Sequence, residues 1–93
     1  MKTLIDKAIN VCGGVNELAK RLEVQPNVIS MHRHGRPLSP ETASELANVT
    51  GDDACEAAII AMVYRAKGTR REEILLTIFK NKFTNLSIDK VYA

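Results

Sequence analysis

The side chains that could do chemistry are few, and they cluster. Residues 18–40 hold Lys20, Arg21, Arg33 and Arg36 against Glu23 alone, a net +3, together with both histidines, His32 and His34. Residues 41–56 hold Glu41, Glu45, Asp52, Asp53 and Glu56 with no Lys or Arg, a net −5. The formal charge of +2 over the whole chain is therefore a cancellation. For an anionic partner such as nucleic acid, distribution matters more than the sum. Catalysis finds no foothold: no activated nucleophile, paired carboxylates or ligand cluster is visible, so no enzyme activity and no cofactor are expected. Cys12 and Cys55 lie far apart and neither is near the histidines. A zinc site wants close pairs, so no metal is expected. Both cysteines sit in apolar helical patterns and are expected to be reduced core residues.

The elements that must position these residues are helices throughout. Leu4, Ile5, Ala8, Ile9 and Cys12 recur at spacings of three and four, which is helical. Thr3 with Asp6 resembles a capping box at the start, and Gly13-Gly14 ends the helix. A second helix runs from about Val15 to Leu22. A break at Glu23-Val24-Gln25 follows, and Pro26 opens a third helix at the position where its missing N–H is harmless. This third helix carries Val28, Ile29 and His32 inward and ends at Gly35. Arg36-Pro37-Leu38 reads as a loop. Ser39 caps a fourth helix with Pro40 in its first turn and Glu41 at the favourable end of the dipole. Its inward positions are Ala43, Leu46, Ala47 and Thr50, and Gly51 stops it. Asp52 or Asp53 caps a fifth helix over 54–67. Thr69-Arg70-Arg71-Glu72 matches a capping box for a sixth helix to about Asn81, with Ile74, Leu75, Ile78 and Phe79 as its stripe. Leu86 and Ile88 alternate like a short strand with no partner strand in view.

The 93 residues argue for one compact domain, with 1–52 and 53–93 as its two regions. Hydrophobic residues are 45% and charged residues 26%, which suits a folded globular chain and not a disordered one. The longest apolar run, Ala57–Tyr64, is eight residues. A membrane helix needs ~20, so no membrane association is expected. The start MKTLIDKAIN is broken by Asp6, Lys7 and Asn10, unlike a signal peptide, and a cytoplasmic location is expected. The few aromatics, Tyr64, Phe79, Phe83 and Tyr92, argue against a single-strand binder that stacks bases. Residues 54–64 carry one charge, so the fifth helix is apolar nearly all round. A small core has little with which to surround it. A homodimer is therefore expected, with Ile59, Ile60, Met62, Val63, Ile74, Ile78 and Phe79 at its interface.

The most informative stretch is VNELAKRLEVQPNVISMHRHG, residues 15–35. Two short helices joined by a three-residue turn have the geometry of a helix-turn-helix. Ala19 is the small residue expected where the helices touch. Leu18, Leu22, Val24 and Ile29 are expected to lock the pair to the rest of the fold. The second helix of such a pair can lie in the major groove with its N-terminal residues toward base edges.

LAKRLEVQPNVIS resembles the helix-turn-helix of the lambda-repressor-like and Cro-like phage regulators, with a Leu-Ala pair, a Val at the turn and Val and Ser in the second helix. HGRPLSPETASELANVTG resembles the Cro/YdaS-type subgroup, in which a short Arg-Pro loop leads to a capped fourth helix. The resemblance covers roughly residues 2–52. It implies an all-α fold of five to six helices with C-terminal dimerisation elements. It also implies a sequence-specific regulator, a homodimeric phage or prophage repressor, binding double-stranded operator DNA. In that scheme Gln25, Pro26, Asn27, Ser30 and Met31 face the bases, Asn27 pairing bidentately with adenine and Met31 touching a thymine methyl. Lys20, Arg21, Arg33, His34 and Arg36 contact phosphates. The chain departs from the family at Glu23, where Gly is usual for a left-handed backbone. It departs also at His32, where a large apolar residue is common, and at Val15, where a polar residue is common. The same residues leave two alternatives open. One is an antitoxin that uses the same helix-turn-helix for autoregulation while its C-terminal part binds a toxin; beside operator DNA, the partner protein would be a toxin or an antirepressor. The other is a protein-interaction adaptor that never touches DNA.

Overall fold

The computed structural model describes residues 2–82, and the alternating stretch at Leu86 and Ile88 lies outside them. The protein is all-α. The described residues form six helices, α1 (Lys2–Cys12), α2 (Val15–Leu22), α3 (Pro26–Arg33), α4 (Pro40–Thr50), α5 (Ala54–Arg65) and α6 (Arg70–Lys82). No strand occurs among the described residues, and no helix there is long and apolar enough to cross a membrane.

The punctuation residues act largely as their chemistry dictates. Gly13 follows α1 at φ 92°, and the N–H groups of Gly13 and Gly14 both donate to the Ile9 carbonyl, at 3.0 and 2.9 Å. This closes the helix end through a left-handed residue. Ser39 caps α4 by accepting from the Thr42 N–H at 3.1 Å, and Gly51 at φ 81° ends it. Of the two aspartates before α5, Asp53 is the cap, accepting from the Glu56 N–H at 2.8 Å. Asp52 instead takes the Lys7 ammonium at 3.2 Å, tying the end of α4 to α1.

Two capping expectations are corrected. Helix α1 already includes Lys2, so Thr3 lies inside its first turn, and Asp6 turns away to Arg33. Before α6, the Glu72 carboxylate accepts from the N–H of Gly68, at 2.8 Å, and not from that of Thr69. The Thr69 N–H and hydroxyl both donate back to the Ala66 carbonyl. The turn after α5 is thereby closed on itself, and the reciprocal box does not form.

The main core joins Ile5 and Ala8 of α1, Leu18 and Ala19 of α2, Ile29 of α3, Ala43, Leu46 and Ala47 of α4, and Ala57 and Ala61 of α5. Leu38, from the Arg-Pro loop, is buried with them. A second, smaller cluster joins Ile60 and Val63 of α5 to Phe79 of α6, with Leu75 and Leu76 packed on it. Helix α5 thus has two buried faces. Ala57 and Ala61, one turn apart, lie against α4, while Ile60 and Val63 lie toward α6. This explains why it is apolar nearly all round. Much of the face expected to be covered by a second subunit is covered by α4 and α6 of the same chain, while Met62 stays exposed.

Candidate nucleic-acid interface

Helices α2 and α3 are joined by Glu23, Val24 and Gln25. Glu23 adopts φ 57°, ψ 43°, the left-handed conformation, and is the one non-glycine residue with positive φ among the described residues. Such backbone costs an L-residue about 1–2 kcal/mol. It persists because the turn is over-determined. The Glu23 N–H donates to Ala19 and Lys20 carbonyls, and the Val24 N–H donates to the Ala19 carbonyl at 3.0 Å. The chain reverses within three residues, which brings Ile29 of α3 onto Leu18 and Ala19 of α2 in the main core. Val24 is corrected from core to surface: it is 37% exposed, because the turn's reversal points it outward.

Ile29 is the buried residue of α3. At 100° per residue, Val28, Ile29 and His32 fall on one side of the helix, and Pro26, Asn27, Ser30 and Met31 fall within an arc of ~140° on the other. All four of the latter are exposed, Met31 by 38%. Gln25 occupies the N-cap position of α3 but makes no capping hydrogen bond with its side chain. The amides of Gln25 and Asn27 and the hydroxyl of Ser30 have no hydrogen-bond partner among the described residues. Four of the five base-facing candidates therefore share one outward surface, and Gln25 is exposed at the start of the helix.

The cations divide into committed and available ones. Arg33, expected on a phosphate, has its Nε 2.9 Å from an Asp6 carboxylate oxygen. It tethers α3 to α1. This pair is part-exposed and is worth ~1 kcal/mol at most, whereas burying Ile29 contributes ~1.5–3, so packing rather than charge sets the helix position. Lys20 stands 3.7 Å from Glu17 on the same helix and remains 78% exposed. Arg21 and His34 are exposed with no ion pair among the described residues.

Arg36 is held in a different way. Its guanidinium donates to the Met31 sulfur at 3.5 Å. Its carbonyl accepts from Nδ1–H of the half-buried His32 at 3.1 Å, and its N–H donates to the Met31 carbonyl at 3.0 Å. Leu38 sinks into the core two residues later. The loop is thus pinned at both ends, and Arg36 is set beside the outer face of α3. Neither the His32 bond nor the burial of Leu38 follows from the sequence pattern. The one available signal was an apolar residue between Pro37 and the Ser39 cap.

The seven residues expected at a dimer interface part company. Ile60, Val63 and Phe79 are buried inside the chain's own α5–α6 cluster and are corrected from interface to core. Ile59 is half-buried against the same cluster. Met62, Ile74 and Ile78 remain exposed. The stripe of α6 is shifted accordingly: Leu75, Leu76 and Phe79 face inward, and Ile74 and Ile78 do not. Cys12 is half-buried, and Cys55 is exposed instead of lying in the core. Among the described residues no group of His, Cys, Asp or Glu could hold a metal ion.

No protein-family model, curated protein or solved structure matches the chain.

Proposed function

We propose that the protein is a sequence-specific double-stranded DNA-binding regulator, a repressor of phage or prophage type that occludes a promoter. The observation that carries this is the outer face of α3. Asn27 and Ser30 lie there with uncommitted hydrogen-bonding groups, beside an exposed Met31 and a pinned Arg36, with the uncommitted Gln25 amide exposed at the helix start. Amide and hydroxyl groups on a helix that fits the major groove are what base-edge readout needs. Arg36, His34 and Arg21 supply flanking positive charge for phosphates, with Lys20 further along α2. Arg33 is the weakest member of that set, since Asp6 already neutralises it.

One α3 reads few base pairs. Two copies on a palindrome would place their recognition helices ~34 Å apart and double the readout. The homodimer of this proposal assembles on the operator and not through Ile60, Val63 or Phe79, which are buried.

The test is a titration on a duplex obtained by selection from a random pool. Asn27→Ala should weaken binding by ~1–3 kcal/mol, roughly 5- to 150-fold, and relax the preference at one base pair of each half-site. Unchanged affinity and an unchanged footprint would sink the assignment of Asn27.

A further inference from the structure

The exposed apolar residues of the C-terminal half are not scattered. Met62 of α5 and Ile74 of α6 are 41% and 59% exposed, and they line one groove of about 750 Å³ with Leu75 between the helices. Ile78 continues the apolar line one turn along α6. The rim is positive. Arg65, Arg70 and Arg71 line the same groove, and no carboxylate among the described residues forms an ion pair with any of them. At 100° per residue, Arg70, Arg71 and Lys82 all lie within ~60° of the Ile74–Ile78 line, while Glu72 and Glu73 lie more than ~100° away. The Glu72 carboxylate is also occupied by the Gly68 N–H. The groove therefore has an apolar floor and cations at its edge. Exposed apolar patches with polar rims mark interaction sites.

We infer that this groove docks an acidic amphipathic helix of a partner protein. Charge decides between the occupants. A twofold contact presents a patch to its own copy, so six arginines would gather at one interface, which like-charge repulsion disfavours. A head-to-tail contact with the acidic 41–56 segment of another copy would match in charge but would have to propagate from copy to copy into a ring or an open chain. The residues that follow α6, FTNLSIDKVYA, carry one Asp and one Lys and offer no net charge to complement the rim. A nucleic-acid backbone would satisfy the arginines and leave the apolar floor wet. A helix with an i, i+3, i+4, i+7 apolar stripe flanked by Glu or Asp satisfies both parts, and helix-in-groove recognition works this way. The inference is independent of what α3 reads.

The experiment selects random displayed peptides of about 16 residues on the full-length protein, then titrates the synthetic consensus peptide. The consensus should combine a helical apolar stripe with flanking acidic residues. Ile74→Asp should weaken it about tenfold or more, as should the double variant Arg70→Glu/Arg71→Glu. All three side chains are exposed, so the fold survives, which circular dichroism checks. A consensus peptide with Lys in place of its acids should regain binding to the double variant. Absence of any enriched peptide, or a consensus without acidic residues, would overturn the inference. So would a dimer of the free protein, seen by light scattering, that Ile74→Asp dissociates.

Discussion

At the scale of single residues, the most revealing is Glu23. The sequence places a carboxylate where the turn needs a left-handed backbone, and the structure adopts that backbone all the same, at φ 57°. Glycine would relieve the strain but would lose more chain entropy on folding, and the first effect is the larger. Glu23→Gly should therefore stabilise the fold by about 0.5–1 kcal/mol, read as a rise of several degrees in melting temperature. No change or a fall would mean that the Glu23 backbone is not strained. The strain was legible in the sequence, since three-residue turns between such helices commonly use glycine. What was not legible was the fate of Arg33 and His32. Nothing in their spacing says that one would pair with Asp6 of α1 or that the other would clamp the Arg36 carbonyl. Those partners are set by how α1 and the loop fold onto α3, which local pattern does not encode.

At the scale of elements, α3 presents one outward face because Ile29 anchors the other, and the Arg36 loop is pinned next to that face. Arg36→Ala should lower the salt slope of DNA binding by about one, whereas Arg33→Ala should change it less, because Asp6 screens Arg33. Equal changes in the two slopes would contradict the division between pinned and tethered arginines. The Ser39 cap supports the same face indirectly by fixing where α4 begins. Ser39→Ala should destabilise the protein by ~1 kcal/mol in a denaturant titration, with the salt slope unaltered. Element existence was legible from caps, glycines and three-four spacing. The facing of α5 and α6 was not. A helix apolar nearly all round has no single stripe to read, and an outward Ile74–Ile78 pair looks the same in sequence as an inward Leu75–Phe79 pair.

At the scale of the whole molecule, the core is divided unequally. The cluster built from α1 to α4 and the first turns of α5 is large, and the α5–α6 cluster turns on Ile60, Val63 and Phe79. Phe79→Ala should cost ~3–5 kcal/mol locally and release α6 before the rest, seen by hydrogen exchange as early loss of protection over 70–82 with α1–α4 still protected. Simultaneous loss everywhere would show that the two clusters unfold as one. A molecule arranged in this way holds its DNA-reading candidates on the larger cluster and its apolar, arginine-rimmed groove on the smaller one. Duplex reading by α3 is tested by measuring the affinity of the full-length protein for its selected duplex and for a scrambled duplex of the same composition, at physiological salt. Sequence reading predicts a preference of at least ~10³-fold for the selected duplex, with two protomers bound when the site is palindromic. Equal affinity for the two duplexes, or no binding to either, would contradict it.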